Sequence, residues 1–130
     1  MTSEQNTTTT ATELPHAFKL AEEPLQPSGL ILTITGELDI ATAPGLRERL
    51  DSAMESGVTQ LVLDLSGVSF LDSVALAVIV NAKRGLGDDG RMVVVVDRST
   101  YVMLVFECSG LPSVLELADT RDEAVARFAG

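Results

Sequence analysis

Leu61-Val62-Leu63 is apolar at every position and too short for a helix, and Ser66-Gly67 a few residues later supplies turn chemistry. The stretch reads as a short buried strand that turns at Gly67. Val74-Ala75-Leu76-Ala77-Val78-Ile79-Val80 then forms an apolar run of helical length. Directly before it stand Asp72 and Ser73, residue types preferred at an N-cap because their side-chain oxygens satisfy N–H groups that a first helical turn leaves without partners. The expectation is a strand, a tight crossing in which Phe70 and Leu71 are buried, and a helix that opens at a polar pair in an apolar frame. Asp or Ser in that place is more often a cap than a functional site, and these two residues alone do not separate the readings.

The rest of the chain repeats this alternation. Leu30 to Thr35 is a β-branched, partly alternating run that ends at Gly36, before Glu37-Leu38-Asp39. From Thr42 the spacing predicts a helix, with Pro44 in the first turn, Leu46, Leu50, Ala53 and Met54 on one face, and Gly57 at the end. Met92 to Val96 is apolar on both faces, as suits an interior strand covered by helices. Ser99 or Thr100 caps a helix through Cys108, closed by Gly110, with Val102, Val105 and Phe106 towards the core. Val114 to Leu117 is a final strand, and Thr120-Arg121-Asp122-Glu123 fits a capping box for a last helix through Phe128. Near the other end, Ala17 to Leu20 forms an edge strand, with the turn region in 24–29. Strands alternating with helices of about ten residues argue for an α/β domain with a single mixed, largely parallel sheet of four to five strands and about four helices. Met1 to Leu14 is rich in Thr with no periodic apolar face and is expected to be a disordered tail, leaving 15–130 as one domain.

Composition narrows the function. The 130 residues are 45% hydrophobic and 22% charged, a globular balance, and the formal net charge of −10 opposes nucleic acid and anionic lipid as partners. No apolar stretch reaches the length of a membrane span, and the N-terminus lacks the pattern of a signal peptide, so a cytoplasmic protein is expected. With one cysteine and one histidine, a Cys/His metal site is excluded; Cys108 reads as a small buried hydrophobe and His16 as an incidental surface residue. There is no G-x-x-x-x-G-K, no G-x-G-x-x-G and no G-x-S-x-G. The pairs Glu22-Glu23 and Asp88-Asp89 fall in expected loops, and neither a cofactor nor catalysis is expected. A phosphoacceptor receiver domain would place an Asp where Asp64 stands, but it also needs an acidic pair for Mg²⁺ and a Lys after a later strand. Here that strand ends in Asp97-Arg98, so Asp64 reads as structural.

The string D-L-S-G-V-S-F-L-D-S-V-A-L-A-V-I-V, from Asp64 to Val80, resembles the signature of the STAS domain, and in particular of the stand-alone bacterial anti-sigma-factor antagonists. G-E-L-D, from Gly36 to Asp39, is a second match. The resemblance implies the same α/β architecture and a phosphorylation switch in which Ser73 is the phosphorylated residue. It places Asp39, Asp72, Ser73, Val74 and Leu76 at the partner-binding surface. On spacing alone Asp39 reads equally as a solvated loop carboxylate. The implied partner is an anti-sigma factor that resembles a GHKL-type ATP-binding serine kinase; the chain would be its substrate and competitor, a monomer or weak dimer. The common family pattern has Ser or Thr and then a small residue, usually Gly, after the phosphoserine, whereas this chain has Val74 and Ala75. The alternative is a STAS scaffold or small-ligand sensor that is not phosphorylated.

Overall fold

The alternating and doubly apolar runs pair into one sheet. In the computed structural model, which describes residues 11–14, 18–110 and 114–128, the strands are β1 (Ala11–Leu14), β2 (Phe18–Leu25), β3 (Gly29–Leu38), β4 (Gln60–Leu71), β5 (Arg91–Val95) and β6 (Glu116–Ala118). They lie in sequential order. β1, β2 and β3 pair antiparallel, and β3 to β6 pair parallel. Parallel neighbours need crossover connections, supplied by α1 (Ala43–Glu55), α2 (Ser73–Leu86) and α3 (Tyr101–Ser109), with α4 (Arg121–Ala126) after β6.

The period of two sorts the interior strands between two cores. Leu61, Leu63 and Leu65 with Met92, Val94 and Val96 join Leu46, Leu50, Ile79, Val102 and Phe106 of the three crossover helices in the larger cluster. Val62, Val93 and Val95 face the other way, with Ile31, Ala118 and Ala124. The small second core is what the six-residue α4 covers, together with Val125 and Phe128 packed at its margin. The larger core excludes water from residues such as Phe18 and Phe106, each contributing about 1.5–3 kcal/mol of transfer free energy.

Four expectations change. Residues 11–14 are a strand paired with β2, so the sheet has six strands among the described residues: backbone pairing along β2 supplies what the side-chain pattern did not. β4 does not turn at Gly67 but runs on to Leu71. Between Thr33↔Asp64 and Thr35↔Gly67, and again between Gly36↔Val68 and Glu37↔Phe70, β4 carries one residue more than β3, so each is a bulge. Asp64 holds the first: its carboxylate accepts from the Ser66 N–H at 2.9 Å and the Ser66 hydroxyl at 2.7 Å. Finally, Cys108 is exposed, because it lies on the outer side of α3 while Val102, Met103 and Phe106 take the inner side. Glu22 and Glu23 also leave their expected loop for β2, where they pair with Arg49 and Arg121. His16 lies outside the described residues.

Candidate functional site

The parallel strands β3, β4 and β5 all end on one side of the sheet, and the segments that leave them carry the residues singled out in the sequence. The junctions after β3 and β4 are tied directly, the Asp72 N–H donating to the Leu38 carbonyl at 3.1 Å. Asp39 and Ser73 therefore belong to adjacent chain ends, next to the paired Leu38 and Leu71.

Asp72 is the cap of α2. Its backbone is extended and its carboxylate accepts from the N–H groups of Val74 and Ala75, each at 3.0 Å. Ser73 is consequently the first helical residue. It is exposed, and its hydroxyl makes no hydrogen bond among the described residues. The two polar residues left open by the sequence thus divide the work: one closes the helix and the other presents an unengaged hydroxyl at its start.

Asp39 is half-buried and organises the neighbouring loop instead of standing free in solvent. Its carboxylate accepts from the Ala41 N–H at 2.9 Å and the Thr42 N–H at 3.1 Å, and its own N–H donates to the Thr42 hydroxyl at 2.9 Å. Thr42, from which the spacing predicts the helix, stands directly before α1, but it is buried and directs its hydroxyl to the Glu37 carbonyl at 2.8 Å, so its side chain caps no N–H of α1. On the third junction, the Ser99 N–H and hydroxyl hold the exposed Asp97 carboxyl below its usual range.

Of the residues the resemblance placed at the partner surface, Asp39, Asp72, Ser73 and Val74 come together here, Val74 with 40% of its surface exposed. Leu76 does not. It is 8% exposed and sits in the larger core, because the first turn of α2 rotates it inwards beside Ala75 and Ile79. Val74 and Val78 instead line a groove between α1 and α2 of about 360 Å³, with Ala43, Pro44, Arg47, Glu48 and Asp51 opposite.

An aromatic pair at the end of β4 and the start of α3 was missed in the sequence. Phe70, expected to be buried, is 38% exposed, and its ring stacks on Tyr101 at 6.2 Å between centroids and 11° between planes. Only Leu71 of that pair is buried. A Tyr at the first position of a helix, with an apolar face that the core cannot use, was the available signal. Among the described residues no cluster of His, Cys, Asp and Glu could hold a metal ion, and no helix is long and apolar enough to cross a membrane.

Comparison with known proteins gives this geometry a context. The family model described as the STAS domain matches residues 21–124. The chain is similar to the anti-sigma-F factor antagonist RsfB of Mycobacterium tuberculosis, with 31% identity over 100 residues that cover 77% of this chain and 81% of the relative. The anti-sigma-B factor antagonist of Listeria monocytogenes is 31% identical over 90 residues, covering 69% and 79%. Among solved structures, an anti-sigma factor antagonist from Mycobacterium paratuberculosis superposes with a TM-score of 0.81 at 25% identity, over 92% of this chain and all of that one. SpoIIAA in its unphosphorylated form superposes with a TM-score of 0.72 at 26% identity, over 85% and 96%. Motif, topology and relatives converge on one assignment: the chain belongs to the STAS domain family.

Proposed function

We propose that this protein is an anti-sigma-factor antagonist that binds, in its unphosphorylated state, an anti-sigma factor of the GHKL serine-kinase type, and is released when that partner phosphorylates Ser73. Sigma-factor-dependent transcription is what the exchange regulates, with the chain as substrate and not as catalyst. The observation that carries this reading is the exposed, unengaged Ser73 hydroxyl at the first position of α2, with the cap supplied by Asp72. A phosphate there adds a charge of ≈ −1.5 to −2 beside the Asp72 carboxylate, at a helix start whose dipole tolerates it. The fold stays intact while the surface changes. A neutral hydroxyl seated against an apolar part of the partner becomes a charge that must be desolvated there, which lowers affinity. SpoIIAA, a structural neighbour, has been solved in a phosphorylated form to which this chain aligns with 25% identity and a TM-score of 0.63.

The test uses the purified GHKL-type anti-sigma factors of the source genome. One of them, incubated with the chain and ATP, is expected to add a single phosphate at Ser73, read by mass spectrometry. Ser73→Ala is expected to hold that partner with ATP present, and Ser73→Asp to bind it more weakly. No phosphate on the wild type, together with unchanged affinity for Ser73→Asp, would overturn the switch. A second reading, a scaffold or small-ligand sensor that is not phosphorylated, draws on Val74, which removes the second hydroxyl of the family pattern and lines the α1/α2 groove.

A further inference from the structure

Six large apolar residues are exposed among the described residues, and four of them, Ile40, Phe70, Val74 and Tyr101, leave the sheet at the end where Ser73 lies. Single exposed apolar side chains are ordinary on a protein surface, but two exposed aromatic rings stacked on each other, Phe70 and Tyr101, are not. Tyr101 is 55% exposed, and Leu104, three residues on along the same face of α3, is 53% exposed. The near-parallel stack of Tyr101 on Phe70 presents the two rings as one apolar unit. Phe70 is three residues before Ser73, on the strand that leads into α2.

Charge decides which partner fits. At this end of the sheet stand Glu37, paired in register with Phe70, then Asp39, Asp72 and Asp97; of the nearby cations, Arg98 is engaged by Asp119 and Arg47, across the groove from Val74, lies 3.9 Å from Asp51. A second copy would bring another such rim and another net charge of −10 to the contact. A partner surface that is apolar at its centre and basic at its edge would meet it favourably.

We propose that Phe70, Tyr101 and Leu104 form an aromatic lobe of the docking surface for the anti-sigma factor, on the α3 side of Ser73, and that this lobe supplies affinity the phosphoacceptor itself does not. The assignment of the occupant rests on the reading of the chain as an anti-sigma-factor antagonist. Tyr and Trp anchors in a desolvated centre carry a disproportionate share of binding energy, with charged residues at the rim.

The experiment titrates the full chain against each purified GHKL-type anti-sigma factor of the source genome by calorimetry, with melting temperatures recorded for every variant. Tyr101→Ala is expected to weaken binding about tenfold, and Leu104→Ala, whose removal leaves the ring stack in place, roughly fivefold. Ser73→Asp runs in parallel. If Ser73→Asp weakens binding while both lobe variants stay within about twofold of wild type at unchanged melting temperature, the lobe is overturned and the switch stands. If the lobe variants weaken binding and Ser73→Asp does not, the lobe stands, and with no phosphate on the wild type the switch falls. Failure of the wild type to bind any of these anti-sigma factors overturns both. Sedimentation of the chain alone gives the last outcome: a dimer abolished by Leu104→Ala, with anti-sigma binding unaffected, assigns the face to a second copy and overturns the proposal.

Discussion

Asp72 and Ser73 are adjacent, similar in polarity and different in role, and the difference is measurable as stability. Asp72→Ala removes the acceptor of two first-turn N–H groups and is expected to cost about 1 kcal/mol. Ser73→Ala deletes a hydroxyl without a hydrogen bond at a helical position that favours Ala, so its stability should stay within about 0.5 kcal/mol of wild type. Urea unfolding of the two variants separates them; an equal cost at Ser73 would mean that its hydroxyl shares the cap. That an N-cap box stands before an apolar helix is legible from residue types alone. Which of two competent caps is used depends on the extended backbone at Asp72, held by its bond to Leu38, a residue 34 positions earlier.

Two elements owe their geometry to neighbours distant in sequence. β4 passes through Gly67 because Thr35 of β3 lies directly opposite: a Cβ built on Gly67 would come within 2.7 Å of Thr35 Cγ2. Gly67→Ala is expected to destabilise the protein by about 1 kcal/mol, and by less in a Thr35→Ser background that lacks this methyl. Additive costs in denaturant titrations would show that the close approach is not the cause. Beyond β6, Arg91 and Arg127 hold Glu116, tying the strand ends to the segment that follows α4, with Arg91 also over the Phe128 ring. The hydrogen bond from Arg91 is the main cause that lowers the Glu116 carboxyl from its ordinary 4.5. A carboxylate with a lowered folded-state pKa stabilises the fold above the unfolded-state value, and that contribution is lost as pH falls from there through the lower folded value. Glu116→Gln should therefore be less stable than wild type at neutral pH, with the gap closing as the pH is taken below about 4.5. A gap independent of pH in urea midpoints would contradict this.

For the molecule as a whole, the net charge of −10 is the property with the longest reach. Plain duplex DNA is expected to show no retardation with the protein at physiological salt, and a salt-dependent shift would count against an acidic protein-binding surface. The whole-chain architecture was largely readable in advance. Periods of two and of 3.6, broken at Gly57, at Gly110 and in the stretch Gly85 to Gly90, determine the order of strands and helices, and a hydrophobic run too short to be anything but a strand determines a covered sheet. The same local signals place Ser73 at the start of a helix after a strand. The tertiary structure alone decided that residues 11–14 add a strand, that Leu76 is core and Cys108 surface, and that Phe70 leaves the interior to stack on Tyr101. The physical reason is common to all four. Propensity and periodicity act between residues a few positions apart, whereas exposure, bulges and edge pairing are set by what another segment of the chain places opposite.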